Sequence, residues 1–250
     1  MSALVILPTY NEVANLRPLV EEILDQGPAF HVLIIDDDSP DGTGILADHL
    51  HALYPRRVEV IHRQGKLGLA TAYLAGFRYG VVKGYDYIFE MDADFSHPPE
   101  YLPAFIETAH REGADVVLGS RYVPGGAVVD WPWYRRAISR AGSRYAAAVL
   151  GLPFKDLTGG FKLFRREALA AIDLSAVRST GYGFQIEMTY RLYQAGFKIV
   201  EHPIVFRDRQ AGQSKMSAGI FFEALFMVLA LRLTEPVAPS ARVERERVRP

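Results

Sequence analysis

The sequence predicts an α/β protein whose core is a doubly wound, largely parallel β-sheet with helices on both faces. Three observations support this prediction. Short apolar runs, typical of strands covered on both faces, recur along the first half of the chain. Segments with apolar residues at helical spacing separate them. Polar side chains follow these runs directly, and alternating strands and crossover helices bring such strand ends to one edge of the sheet, where ligands bind.

The predicted strands of the first half are runs rich in aliphatic and aromatic residues, at positions 3–7, 31–35, 58–61, 87–91 and 114–122. A helix is predicted in each interval. The first has Asn11 as its N-cap and stops at Gly27. The second covers residues 44–54, and the third follows a glycine-containing turn at 65–68. The fourth begins after Pro98, since proline fits a first helical turn.

The alternation is less regular after residue 122. A loop containing glycine and proline precedes a predicted helix over 134–150, and a turn at 156–160 leads into a further strand. A helix over 181–195, a strand over 197–206 and a polar loop over 207–215 follow. Because no linker divides this part of the chain, residues 1–216 are predicted to form one domain.

Residues 218–231 are almost uninterruptedly apolar and lie in a predicted helix over 217–233. Such a helix is roughly 20 Å long, too short to cross a hydrocarbon core of about 30 Å. The alternative is a core helix. Because this segment follows the last strand, however, little of the core is left for it to pack into. We therefore expect it at a membrane interface or against a partner. The tail, residues 234–250, has three prolines among mixed charges and is expected to be disordered.

The composition excludes several classes of function. The formal net charge of -1 offers no electrostatic basis for nucleic-acid binding. The chain contains no cysteine, which excludes disulfides, thiolate catalysis and cysteine-ligated zinc. Hydrophobic residues make up 49% of the chain and charged residues 23%, as is ordinary for a soluble globular protein.

The strand predicted over residues 87–91 runs directly into two carboxylates, Asp92 and Asp94. Like charges this close repel each other unless a cation lies between them. Oxygen ligands favour a hard divalent ion, Mg²⁺ or Mn²⁺, which commonly bridges to substrate phosphates. The alternative is a solvated turn, in which aspartate is common. Further polar clusters at the other strand ends favour the metal site.

Three motifs stand in the order found in inverting family 2 glycosyltransferases, namely PTYNE at 8–12, DDDSPDGT at 36–43 and MDADFSHP at 91–98. Within that family, GSRY at 119–122, DLTGGF at 156–161 and the loop with Arg209, Ser214 and Lys215 resemble the polyprenol-phosphate (dolichol-phosphate) mannose synthases. The resemblance covers about residues 3–216. It implies a GT-A fold, with residues 1–216 as the catalytic domain, a GDP-mannose donor, Mg²⁺ or Mn²⁺ and a polyprenyl monophosphate acceptor.

The resemblance also implies roles for individual residues. A nucleotide-sugar site would be formed by Pro8, Tyr10, Glu12, Ile35, Asp37, Asp92, Ala93, Asp94, Arg121, Arg209 and Lys215. The catalytic residues would be Asp92, Asp94 and Arg121, and the first two would hold the metal. Arg135 and Ser139 resemble positions near the acceptor phosphate. One departure is Asp38, where relatives often have Asn or Gly.

The implied reaction is attack of a polyprenyl phosphate oxygen on the anomeric carbon of GDP-mannose, with inversion. The second pKa of a phosphate is about 6, so this nucleophile is already ionised near neutral pH and needs no strong base. If a base exists, the candidates are Glu187 and Asp94. The enzyme would act at the cytoplasmic face of a membrane, attached peripherally through residues 218–231 or a membrane-anchored subunit.

Three alternatives remain open at the level of sequence. The first is transfer of glucose from UDP-glucose to the same lipid. The second is a Mg²⁺-dependent phosphatase, because aspartate-rich strand ends also suit a nucleophilic aspartate. The third is a non-catalytic scaffold subunit of a membrane glycosylation complex.

Overall fold

The computed structural model describes residues 1–208 and 218–234. Within them, the central sheet consists of seven strands: β1 (Ala3–Thr9), β2 (Phe30–Asp36), β3 (Val58–His62), β4 (Tyr87–Glu90), β5 (Val116–Ser120), β7 (Lys162–Arg165) and β8 (Ile199–Pro203). Two short strands pair separately: β6 (Ala127–Val128) and β9 (Val205–Phe206). The helices in this part of the chain are α1 (Val13–Asp25), α2 (Thr43–Leu53), α3 (Leu69–Lys83), α4 (Tyr101–Glu112), α5 (Trp133–Leu150), α6 (Arg166–Ala170), α7 (Gly181–Gln194) and α8 (Ala218–Thr234).

The strand order in the central sheet is β3-β2-β1-β4-β7-β5-β8, and neighbours are parallel except where β7 is involved. Strand β7 runs antiparallel to both β4 and β5. The predicted doubly wound, largely parallel sheet is therefore confirmed. We call the edge at which β1, β2 and β4 end the carboxyl edge. Because β7 is reversed, its first residue, Lys162, lies at this edge opposite Glu90.

The core has two layers, one on each face of the sheet. Successive residues of a strand point to opposite faces, so Leu4 and Ile6 join the layer with α3, while Val5 and Leu7 join the layer with α1. Helix α3 approaches β1 closely at Gly76, where an added Cβ would lie 2.7 Å from Ile6 Cδ1. A residue without a side chain is what permits this close packing.

The predicted N-cap of the first helix is wrong. Asn11 has a left-handed backbone with a φ of 62°, and α1 begins after Glu12. The backbone N–H of Val13 instead donates to Asp41 Oδ2 at 3.2 Å. The capping carboxylate thus comes from the loop after β2, a tertiary contact that the local sequence around Asn11 does not reveal.

The second half of the chain differs from the prediction in detail. The strand predicted over 197–206 is divided in two, and its second part, β9, leaves the central sheet to pair with β6. Helix α5 lies where the pattern predicted it, whereas β6 and the short helix α6 were not predicted.

Helix α8 packs against α5 and α7. Val228 and Leu231 are buried in the core layer shared with these helices. One side of α8 therefore belongs to the core, which its position after the last strand did not suggest. Phe226, Leu229 and Leu233 remain exposed, with 72%, 45% and 81% of their surfaces accessible. None of the helices in the two described ranges is long and apolar enough to span a membrane. The predicted disordered tail, from residue 235 onward, lies outside the described residues.

Candidate active site

The ends of β1 and β2 are joined at the carboxyl edge by side-chain and backbone hydrogen bonds. Thr9 Oγ1 donates to Asp36 Oδ1 at 2.9 Å, and the backbone N–H of Asp37 donates to the Thr9 carbonyl at 3.1 Å. Asp36 is almost fully buried and also accepts bonds from the backbone and hydroxyl of Ser39 at 3.1 and 2.6 Å. Asp36 therefore shapes the acidic loop, and Asp37 is the carboxylate that follows it at the edge.

Asp37 forms a buried ion pair with Arg63, a residue that the sequence analysis did not single out. The backbone N–H of Gly68 donates to Asp37 Oδ2 at 3.3 Å. The guanidinium also donates to Thr71 Oγ1 at 2.7 Å and to the Gly68 carbonyl at 3.0 Å. Arg63 thus ties Asp37 to the turn before α3. Arg63 directly follows β3, so a search for polar residues at strand ends would have identified it.

The other residues predicted for the nucleoside pocket differ in whether they lie at the carboxyl edge or in the core. Tyr10 lies at the carboxyl edge with Lys66 Nζ 4.2 Å from the centre of its ring. Glu12 accepts a hydrogen bond from the amide of Asn15 at 2.9 Å. Pro8 is paired in register with Ile35, whose side chain is fully buried in the core.

The loop after β4 is packed into the protein and is not a solvated turn. Ala93 and Asp94 are buried, and Asp94 Oδ1 accepts the backbone N–H of Ser96 at 3.0 Å. The Asp92 side chain, by contrast, is 33% exposed and accepts a hydrogen bond from the Tyr73 hydroxyl at 3.0 Å. Of the two predicted carboxylates, Asp92 is therefore the more accessible.

His97 supports the loop from below, which the sequence analysis did not foresee. Its ring is buried, stacks on Phe161 at 5.1 Å and contacts Phe206 at 5.4 Å. Burial lowers its pKa to about 4, so the ring is neutral at pH 7. Nδ1 then accepts the backbone N–H of Asp92 at 3.4 Å.

Arg121, predicted to contact the donor, is buried and held by Asp156. Its Nε and Nη2 donate to the two carboxylate oxygens, each at 2.7 Å, and Nη2 also donates to Thr158 at 2.9 Å. Burial alone would lower the pKa of Arg121, but the Asp156 carboxylate outweighs it and raises that pKa. The pair fixes the loop at 156–160 against the end of β5.

Arg135 and Ser139 lie on α5, near the small β6–β9 sheet. Arg135 Nη1 lies 3.1 Å from Asp208 Oδ2, and its guanidinium stacks over the Trp131 ring at 4.0 Å. Ser139 is half-buried beside Tyr122. The other two predicted cations, Arg209 and Lys215, lie outside the described residues.

Beneath Asp92 is a fully buried charged cluster that the sequence analysis missed. Lys162 Nζ lies 3.5 Å from Glu90 Oε1 and donates to the carbonyl and side-chain oxygens of Gln185 at 2.9 and 2.5 Å. Burial raises the pKa of Glu90 to about 7, although Lys162 opposes the shift. Burial likewise lowers the pKa of Lys162.

Glu187, a candidate base in the sequence analysis, has a structural role. It is buried, accepts the backbone N–H groups of Arg178 and Ser179 at 3.3 and 2.9 Å, and pairs with Arg191 at 2.8 Å. Its oxygens hold the segment before α7, which leaves Glu187 poorly suited to accept a proton from substrate.

The residues at the acidic loop fit a divalent cation. Asp92 and Asp94 would supply hard oxygen ligands, and Gly160 leaves open the space beside Asp92, where a Cβ would lie 3.5 Å from Asp92 Oδ2. Across residues 1–208 and 218–234 there is no cluster of three or more histidine or carboxylate residues that could hold a metal ion. A cation here would therefore take further ligands from substrate or water.

The model of the family described as glycosyl transferase family 2 matches residues 4–173. The chain belongs to glycosyltransferase family 2. A polyprenol monophosphomannose synthase of Mycolicibacterium smegmatis is 50% identical over 225 residues, covering 90% of this chain and 84% of the relative. An undecaprenyl-phosphate mannosyltransferase of Micrococcus luteus is 50% identical over 228 residues, covering 91% and 93%.

Among solved structures, the family 2 chain is similar to glucosyl-3-phosphoglycerate synthase from Mycobacterium tuberculosis, crystallised with Mn²⁺, UDP-glucose and phosphoglyceric acid. The TM-score is 0.67 at 17% identity, and the match covers 94% of this chain and 80% of that one. At this identity the likeness concerns the fold alone. The predicted GT-A fold, a mostly parallel sheet with helices on both faces, is confirmed.

Proposed function

We propose that this family 2 glycosyltransferase transfers mannose from GDP-mannose to a polyprenyl monophosphate, with inversion at the anomeric carbon. The product would be a polyprenyl-phosphate mannose. The observation that carries the proposal is the 50% identity, over about nine-tenths of the chain, to two enzymes named for mannosyl transfer to a polyprenyl phosphate. The structural feature that supports the proposal is the partly exposed Asp92, which lies at the edge where β1, β2 and β4 end.

Asp92 and Asp94 would hold a divalent cation, Mg²⁺ or Mn²⁺. When bound, such an ion would offset the charge that develops on the departing nucleoside diphosphate. The nucleoside would lie along the ends of β1 and β2, beside Pro8, Tyr10 and Glu12. The Asp37–Arg63 pair would form the far wall of that pocket, because it fixes the turn before α3.

The acceptor phosphate would lie near Arg135 and Ser139. Arg135 already pairs with an anion there, the Asp208 carboxylate, and a phosphate offers the same kind of oxygen partner. Because the phosphate is ionised near neutral pH, the reaction requires no strong base. Glu187, a candidate base, accepts two backbone N–H groups instead. This agrees with a reaction that requires no general base.

The surface beside the site suits a lipid substrate. Helices α5 and α8 pack together and expose large apolar side chains: Trp133, Tyr134, Ile138, Phe226, Leu229 and Leu233. Amphipathic rings such as those of Trp and Tyr favour the membrane–water interface. We therefore propose peripheral attachment at the cytoplasmic face of a membrane, through this surface or with a membrane-anchored subunit.

The test is transfer of labelled mannose from GDP-mannose to a short polyprenyl phosphate in detergent, with Mg²⁺ or Mn²⁺. We expect lipid-linked mannose that is lost with a chelator and falls at least about 100-fold in Asp92→Ala. The matched control is Asp25→Ala, which removes an exposed carboxylate from the end of α1 farthest from the carboxyl edge.

Parallel reactions distinguish the alternatives. Transfer from UDP-glucose but not from GDP-mannose would correct the proposed donor and leave the proposed acceptor and site unchanged. Phosphate release without a sugar donor would favour the phosphatase interpretation. No transfer from either donor and no phosphate release would favour a scaffold subunit.

A further inference from the structure

Tyr73 contacts the predicted metal-binding carboxylate from inside the protein. It lies on α3, is fully buried, and its hydroxyl donates to Asp92 Oδ1 at 3.0 Å. Neither the strand-end pattern nor the motifs single out this residue, because it sits on the second turn of a helix whose other buried residues are apolar or glycine.

The Tyr73 ring is held in place by aromatic stacking. Its centroid lies 6.0 Å from that of Phe184, with the planes inclined by 5°, and 6.2 Å from that of Phe77, inclined by 21°. A tyrosine hydroxyl is protonated near neutral pH, and an ionised carboxylate can only accept, so the Tyr73 hydroxyl is the donor in this hydrogen bond.

This hydrogen bond engages one oxygen of the Asp92 carboxylate. Oδ1 accepts the Tyr73 hydroxyl, and Oδ2 lies 4.0 Å from His97 Nδ1, while both oxygens border the space beside Gly160. A carboxylate that is already held in one orientation loses less conformational freedom when the cation binds, so each hydrogen bond that holds it lowers the free-energy cost of binding.

We infer that Tyr73 is a positioning residue for the divalent cation, acting through Asp92 to hold its carboxylate in a binding orientation before the cation arrives. This inference rests on the proposed function, in which Asp92 is a metal ligand. Residues that hydrogen-bond to metal ligands typically account for a tenfold to 100-fold change in metal affinity, about the range expected here.

The experiment measures Mn²⁺ binding directly, by electron paramagnetic resonance of free Mn²⁺ in the presence of GDP. Tyr73→Phe removes one oxygen and keeps the stacked ring. We expect it to weaken Mn²⁺ binding about tenfold or more. Turnover at saturating Mn²⁺ should stay close to that of the unmodified protein. The matched control, Tyr79→Phe, removes a hydroxyl from the same helix away from Asp92 and should leave the affinity unchanged.

A double-mutant cycle with Asp92→Asn separates positioning from a general loss of structure. If Tyr73 acts through Asp92, Tyr73→Phe should weaken Mn²⁺ binding no further in the Asp92→Asn background. A second variant, Phe184→Leu, loosens the stack and leaves the hydroxyl and Asp92 intact. It should weaken binding in the same direction by a smaller factor.

The possible failures can be told apart. Unchanged Mn²⁺ affinity in both Tyr73→Phe and Phe184→Leu, with Asp92→Asn impaired, would overturn the inference and leave the proposed function intact. Unchanged affinity in Asp92→Asn would instead overturn the metal site itself. An equal loss in Tyr79→Phe would mean that the effect comes from α3 as a whole.

Discussion

Glu90 and Lys162 form an ion pair with no access to solvent, 3.5 Å apart across neighbouring antiparallel strands. Each charge is tolerated in the core because the other is present. We predict that Lys162→Met lowers the free energy of unfolding by about 3 kcal/mol, since it leaves the buried Glu90 carboxyl group without its partner, and Glu90 must then either keep an unpaired charge or take up a proton. The measurement is urea unfolding at pH 7.

The Glu90→Gln/Lys162→Met double variant tests the cause of that loss. It removes both charges, so it should recover a large part of the stability. Equal losses in the single and double variants would mean that Lys162 stabilises through its hydrogen bonds to Gln185.

Asp156 carries the charge that compensates Arg121. We predict that Asp156→Asn destabilises the protein by about 3 kcal/mol, because the buried guanidinium keeps its charge. Although burial opposes it, Arg121 lowers the pKa of Asp156 below its unfolded value. The unfolded chain therefore binds more protons as the pH falls below about 4, and the contribution of Asp156 is lost as the pH passes through the lowered folded pKa.

Unfolding free energies measured from pH 6 to pH 2.5 check this dependence. The contribution of Asp156 should be complete above about pH 4, and Asp156→Asn should lack that part of the acid-induced loss. The prediction fails if the two proteins lose stability in parallel throughout the acid range.

Arg63 should matter for the nucleotide and little for the cation. Replacing it with Met removes the partner of Asp37 and the bond that holds the Gly68 carbonyl, so the wall of the proposed nucleoside pocket loses its support. Hydrogen bonds to charged groups contribute about 1.5–3 kcal/mol, and we expect GDP to bind about tenfold more weakly or worse. Calorimetric titration with GDP provides the measurement, with the exposed Arg56→Met as control. Unaltered GDP affinity would show that Arg63 does not support the proposed nucleoside pocket.

The exposed residues of α8 should contribute to membrane binding. Phe226→Ser/Leu233→Ser is expected to lower binding to phospholipid vesicles at least about tenfold, because each side chain transfers apolar surface out of water. Co-sedimentation measures it, and Val82→Ser, an equally exposed apolar side chain on α3, is the control. Unchanged binding would favour a protein partner for this surface.

Much of the fold followed from local patterns. The apolar runs that became β1, β2 and β4 are buried on both faces of the sheet, and burial of that kind leaves a continuous apolar signature. Short strands such as β6 and β9 carry no such signature, because two residues are too few for a periodic pattern. The reversed direction of β7 also has no local signal, since it depends on where the preceding loop returns to the sheet.

The candidate site divides in the same way. By itself the sequence determined that Asp37, Asp92 and Asp94 stand at strand ends and so share an edge, since parallel strands end on the same side of a sheet. Only the tertiary structure decided that Tyr73 reaches Asp92 and that Asp156 pairs with Arg121. These contacts join residues that are 19 and 35 positions apart, and hydrogen bonds of that kind depend on how helices and loops pack, which no local periodicity specifies.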